Sequence, residues 1–240
     1  MKHPFHSRIL PWFTLCVGGL GLALQCWLSF LTDEKGLLPA RHPAEYALLL
    51  LTAVTLLILF LATRKLTSRH IRGRFLRLTG AGIHLLGGLG LLFTAVWVLP
   101  GSTVRLAVPA MIACLLGSLV MFSMAGLQYL RKRPPYWLPA ILTAVLMLDT
   151  VAQCQAWGTQ PQVLSYFFPL MASVSLVLSA YHQTARCAGQ GNPRSLAFFS
   201  QSALFFCCLS LYAAQWPLYL GMLFWSAGQF YPCICVKKEA

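Results

Sequence analysis

Asp149 and Gln153 stand four residues apart in a stretch otherwise almost free of charge. Four residues is one helical turn, so both side chains fall on one face of a helix. Of the five acids, Asp33, Glu34 and Glu45 belong to one connection or its edge and Glu239 to the tail, which leaves Asp149 alone within an apolar segment. An ionised carboxylate in hydrocarbon is costly, so this side chain must face a bundle interior or a wet cavity, or else stay protonated. Counted from Tyr136 at 1.5 Å per residue, Asp149 lies about 20 Å along its helix, and Gln25, counted from Ile9, reaches nearly the same depth on another. Asp149, Gln153 and Gln25 are therefore expected to form one polar layer, a proton-coupled or cation-coupled site for a small solute. The alternative use of the same groups is interhelical hydrogen bonding that locks packing. Arg105, with Lys35 and Arg41 less directly, supplies the cations that could reach such a layer.

A second pair, His84 and Gln201, shares a depth of about 9 Å from the cytoplasmic edge, the same edge from which Asp149 is counted, and is the candidate proton relay, because imidazole titrates near neutral pH. The competing reading of His84, amid Gly82, Ile83, Leu85 and Leu86, is a satisfied core group. No metal site is expected, since His3 and His6 have no third ligand. The nine cysteines are odd in number and mostly sit inside apolar segments, where thiols behave as small hydrophobes. Gly19-Leu20-Gly21 and Gly88-Leu89-Gly90 lack the third glycine and the preceding strand of a nucleotide fingerprint. They are read as packing surfaces instead. Gly19 with Ala23, Ala113 with Gly117, Ser175 with Ser179 and Ala203 with Cys207 have the four-residue spacing of small residues that lets helices approach in lipid. The repeated Gly-Gly-Leu-Gly-Leu at 18–22 and 87–91 raises a duplicated two-helix unit as one explanation.

Enzyme chemistry finds no support. There is no His-Glu-x-x-His pair, no Gly-x-Ser-x-Gly elbow, no second intramembrane acid and no lysine within a span. No catalytic residue and no cofactor are expected.

The elements that must position these groups follow from composition. The 240 residues are 58% hydrophobic and 10% charged, whereas a soluble domain carries roughly 25% charged residues. Apolar stretches of about 20 residues match a hydrocarbon core of about 30 Å. The expected fold is an all-α, polytopic integral membrane bundle forming a single transmembrane domain. Its eight helices run approximately over 9–31, 44–63, 78–99, 106–130, 136–157, 163–184, 195–214 and 216–235. The first resembles a secretory signal in its flanking Lys2 and Arg8, but its apolar run is longer than the roughly 7 to 15 residues of a signal core, so it is expected to stay attached.

Fifteen of the eighteen Lys and Arg residues fall on alternate connections and the two tails. Lys35, Arg41 and Arg105 alone occupy the other side. Because cationic connections stay on the cytoplasmic side, both termini are expected there, in a plasma-type membrane. The net charge of +13 is accordingly read as topology signal and anionic-headgroup contact, not as nucleic-acid binding. The run Arg64, Lys65, Arg69, Arg72, Arg74 and Arg77 places several cations on one face of an interfacial helix, which suits anionic lipid. If these basic loops instead engage a protein partner, the chain is a sensor or scaffold subunit and not a small-solute or ion transporter. A reporter fused after Ala240 is expected to be inaccessible to protease in intact cells, and cleavage there would overturn the topology.

Overall fold

The alternation of apolar runs with short basic or turn-forming connections yields helices and nothing else. A computed structural model describes residues 5–30, 43–64, 74–98, 107–130, 134–157, 163–213 and 216–234, and among them there is no strand. The eight helices are α1 (Phe5–Phe30), α2 (Pro43–Arg64), α3 (Arg74–Phe93), α4 (Ala107–Tyr129), α5 (Trp137–Trp157), α6 (Val163–Cys187), α7 (Pro193–Ser210) and α8 (Trp216–Ile234). A π-helical turn over Thr94–Val98 prolongs α3. The helices thus match the apolar runs in number and order. α3 begins four residues earlier than its apolar run, and α7 ends at Ser210, where residues 211–213 turn away.

Successive helices are antiparallel. Gly87 of α3 faces Met121 of α4, while Gly117 of α4 faces Leu91 of α3 and Leu142 of α5. Thr143 pairs with Thr184 and Gln153 with Ser173 across α5 and α6. His182 of α6 stacks on Phe199 of α7, and Ser200 of α7 bonds the Ser226 carbonyl of α8. Between α6 and α7 the chain reverses through Gly189, whose φ of 84° is open to glycine. The Gln190 N–H bonds the Ala185 carbonyl there, and Asn192 then caps α7 ahead of Pro193.

α3, α4, α5, α6, α7 and α8 close into a ring in which each helix packs on the next and α8 returns to α3. α1 and α2 lie outside it, against α7. Consequently α7 is covered on every side, and thirteen of its residues, including Ser200, Gln201, Ser202 and Ser210, are buried. Met121, Met124, Leu142, Phe168, Leu176, Met222 and Trp225, contributed by α4, α5, α6 and α8, belong to one buried apolar cluster.

Five helices are long and apolar enough to cross a membrane: Ile9–Leu28, Pro43–Arg64, Gly80–Trp97, Met111–Tyr129 and Trp137–Cys154. Among the described residues α6, α7 and α8 do not reach that threshold. Their Ser and Gln side chains turn toward protein, so these helices need less hydrophobicity than those facing lipid. Leu50, Leu57 and Leu61 of α2, Leu116 and Leu119 of α4, and Leu148 and Val151 of α5 point outward. A contiguous apolar exterior of this kind is a lipid-facing surface and not a soluble one. Exposed aromatics mark both ends of the bundle, Tyr129, Tyr136 and Trp137 at one and Trp97, Tyr212 and Trp216 at the other. That is the distribution expected of rings seated at headgroup level.

The closest approach in the ring joins α3 to α8. A Cβ added at Gly90 would stand 2.5 Å from the Gly221 Cα, and one at Gly87 2.7 Å from Met121 Sδ. Of the small-residue pairs, Ala113 with Gly117, Ser175 with Ser179 and Ala203 with Cys207 are buried. Gly19 is not at an interface; it is exposed, with open space where a Cβ would go, and Gly18 and Gly21 meet α7 instead. The two similar glycine runs also play different parts, since α1 runs parallel to α7 whereas α3 runs antiparallel to α8. Gly90→Ala is expected to destabilise the bundle by about 1–3 kcal/mol through overpacking, while Gly19→Ala should be neutral or slightly stabilising. Thermal unfolding of the two variants in the same detergent checks the contrast.

Candidate functional site

α5 brings Asp149 and Gln153 to the same face, and antiparallel packing sets that face against α6 and α8. Gln153 Nε2 donates to Asp149 Oδ2 at 2.6 Å. Gln153 Oε1 in turn accepts from the Tyr219 hydroxyl at 3.0 Å and from the Ser173 hydroxyl at 3.4 Å. The Tyr219 hydroxyl also lies 3.5 Å from the carbonyl of Pro169, a proline inside α6. The amide of Gln153 is thereby fixed in orientation. Its carbonyl is held by two hydroxyls, so its N–H must point at the carboxyl group.

The group is shielded from solvent: Asp149 is 5% exposed, Gln153 4%, Ser173 4% and Tyr219 1%. Cys114 of α4 lies within electrostatic range of the carboxyl, and Cys207 of α7 within range of Tyr219. Among the described residues no cation pairs with Asp149, and Gln153 is the one hydrogen-bond donor that reaches it. A carboxyl group held through one oxygen, with no fixed counter-charge, keeps lone pairs free for a proton or a cation.

Gln25 is not brought into this layer. It lies on α1, which packs on α2, α7 and α8, and its buried Oε1 accepts no hydrogen bond. Thr14 bonds Gln201 and Gly21 meets Leu209, which sets Gln25 beyond the end of α7, above the level of Gln153. Residue counts gave neither its relative height nor its side of the bundle. Tyr219 and Ser173 take the place expected of Gln25. Neither stands out in sequence, because a tyrosine in an apolar helix and a serine in a serine-bearing one have ordinary packing roles. The signal that does exist is the match in depth, since Tyr219 lies three residues into α8 and Gln153 four residues from the end of α5.

His84 and Gln201 do share a height, yet they do not meet. Gln201 Oε1 accepts from the Thr14 hydroxyl of α1 at 2.7 Å, and its Nε2 has no partner. His84 faces the ring from α3, with Nδ1 also unpartnered. The direct relay between them is therefore absent, because Gln201 turns away from the ring toward α1. No group of three or more His, Cys, Asp or Glu side chains suited to a metal occurs among the described residues.

Arg64 is exposed, with its guanidinium 5.0 Å over the Phe60 ring. Arg74 and Arg77 belong to the first turns of α3. Lys65, Arg69 and Arg72, and with them the interfacial helix expected there, lie outside the described residues, as do Lys35, Arg41 and Arg105. A groove of about 540 Å³ between α3 and α8, lined by Leu89, Phe93, Val96, Trp216, Leu220 and Phe224 among others, is apolar and opens on the outer surface. It offers no group for polar chemistry, which leaves the Asp149 cluster as the candidate site.

Compared with known proteins, the chain matches no family model, no curated protein and no solved structure. Its site is accordingly read from its own geometry.

Coupling within the cluster is measurable. In a double-mutant cycle, Tyr219→Phe and Gln153→Ala are expected to interact by about 0.5–2 kcal/mol, the range for contacting polar pairs. Gln25→Ala and Asp149→Asn should add without interaction in the same unfolding assay.

Proposed function

We propose that this chain crosses the membrane eight times with both termini on the cytoplasmic side and carries a small solute or ion, using Asp149 as the group that takes up the coupling proton or cation. The observation that supports this most is the pairing at Asp149: among the described residues, a buried carboxyl has a single neutral hydrogen-bond donor and no cation beside it. A structural carboxylate in the interior is normally neutralised by a partner, because an unpaired charge is costly there. A mobile proton or cation fills that role in this reading.

Gln153 gives occupancy a mechanical consequence. Protonation at the free Oδ1 leaves Oδ2 a neutral acceptor, so the charge-assisted bond from Gln153 Nε2 weakens. Gln153 Oε1 is held by Tyr219 of α8 and Ser173 of α6, so the amide whose hold on Asp149 weakens is the one that ties α5 to those helices. A change in that bond on binding contributes a differential free energy of the kind that shifting a two-state equilibrium requires.

The second reading is a non-transporting sensor or scaffold subunit acting through the basic cytoplasmic loops. The full burial of the cluster favours it to this extent: the same four bonds across three helices serve equally as polar glue. The membrane would be a plasma-type one, with anionic headgroups against the basic end.

Asp149→Asn separates the two readings, since the amide keeps size and hydrogen-bonding capacity but cannot take up a proton. In proteoliposomes with entrapped pyranine and an imposed pH gradient, wild-type protein is expected to pass protons when members of a panel of small polar solutes and monovalent cations are added. Asp149→Asn should abolish that coupling while its melting temperature stays within a few degrees of wild type. Coupling that survives in Asp149→Asn ends the transport assignment to this residue.

A further inference from the structure

Below the Asp149 cluster, toward the basic end, the ring contains buried polar atoms that find no partner among the described residues. They are His84 Nδ1 on α3, Ser179 Oγ and Gln183 Oε1 on α6, and Trp225 Nε1 on α8. His84 is 2% exposed, Ser179 and Trp225 0% and Gln183 6%.

These atoms converge. On α6, Thr184 bonds α5 and His182 stacks on α7. Gln183 and Ser179 lie on the arc between those directions, opposite the exposed Val174 and Tyr181. Both therefore face into the ring. On α3, His84 lies between Ile83, which meets Gly228 of α8, and Gly88, which meets Phe122 of α4. On α8, the Trp225 Cβ stands where Gly87 closes on it.

They lie at two adjoining heights. Ser200 bonds the residue after Trp225 and Phe199 stacks on His182, so Trp225 is level with Ala180, beside Ser179. By the same register Gln183 is level with Gly228, which Ile83 meets, so Gln183 and His84 stand together about one turn nearer the basic end. The Thr143–Thr184 and Gln153–Ser173 pairs set a register in which Asp149 stands beside Val177 and Leu178. Ser179 is then within a turn of the carboxyl, and Gln183 is one turn further toward the basic end.

We infer that these groups line an internal water passage leading from the basic end of the bundle to Asp149. The donor set selects the occupant. The indole N–H can only donate, the Gln183 carbonyl can only accept, and Ser179 and His84 can do either. Water satisfies all of these at once, and buried waters gather where several such groups converge, whereas an apolar cavity stays dry. Apart from Asp149 no acid among the described residues faces the passage, so a cation finds no other counter-charge among them. Through such a file each water accepts one proton and releases another, delivering one net proton to the carboxyl. That use of the water rests on the coupling role proposed for Asp149; the presence of the water does not.

Hydroxyl-radical footprinting of the full chain in lipid nanodiscs, with radicals generated by radiolysis of water, tests the passage. Trp225, though fully buried, is expected to be oxidised at least ten times faster than Met147, which faces outward from α5 toward lipid. Oxidation of Trp225 no faster than Met147 would overturn the inference. Gln183→Leu is expected to lower Trp225 oxidation at least threefold, and if that variant does not fold, Ser179→Ala is read by the same criterion. Unchanged labelling in a folded variant counts against the passage. No solute or gradient enters the measurement. A dry Trp225 beside intact Asp149-dependent coupling rejects the passage alone, and a wet Trp225 without coupling rejects the transport reading alone.

Discussion

Hydrocarbon offers no hydrogen bond, and the arrangement of this bundle depends on that one constraint. Backbone groups must be satisfied within each segment, which makes every span a helix. Side chains follow the same rule, and threonines at positions 52, 55, 63 and 94 return their hydroxyls to a carbonyl four residues earlier. Groups that cannot be satisfied locally are gathered between helices. α7 carries many of them, with Ser200, Gln201 and Ser202 buried, and is enclosed by α6 and α8 within the ring and by α1 and α2 outside it.

Close packing then decides which polar groups meet. The glycines at 87, 90 and 221 let α3 and α8 approach until their backbones touch, and this closes the ring. With the ring closed, α8 presents Tyr219 toward α5 and α6, where its hydroxyl engages Gln153. An extra methyl group at Gly90 would move α8 outward and lengthen a bond on the far side of the same helix. The site's geometry is thus held by a contact that contains no polar side chain.

Within the ring the polar groups are unevenly treated. Around Gln153 the donors and acceptors are matched, whereas toward the basic end His84, Gln183, Ser179 and Trp225 each keep an unsatisfied atom. A matched network holds a fixed geometry and an unmatched one calls for a small exchangeable ligand. The two regions adjoin near Ser179, and their difference is what a fixed site served by a fluid path would require.

Much of this was legible in the chain itself. Apolar run length marked the eight helices, because helix rise and bilayer thickness are constants. Basic residues on alternate connections implied an up-and-down order, since antiparallel packing places those connections at one end. Asp149 and Gln153 could be paired across one turn, and the shared depth of His84 and Gln201 followed by counting. Rotation about each helix axis and the choice of neighbour were beyond reach, as they depend on how eight surfaces fit together. Thus Gln201 had the height of His84 but turns toward α1, Gln25 lies on α1 outside the ring and above the Asp149 layer, and Ser173 and Tyr219 joined Gln153 with no signal beyond depth. Position along the membrane normal is a one-dimensional property that a sequence carries; which groups touch in the plane is set by packing, and only the folded bundle decides it.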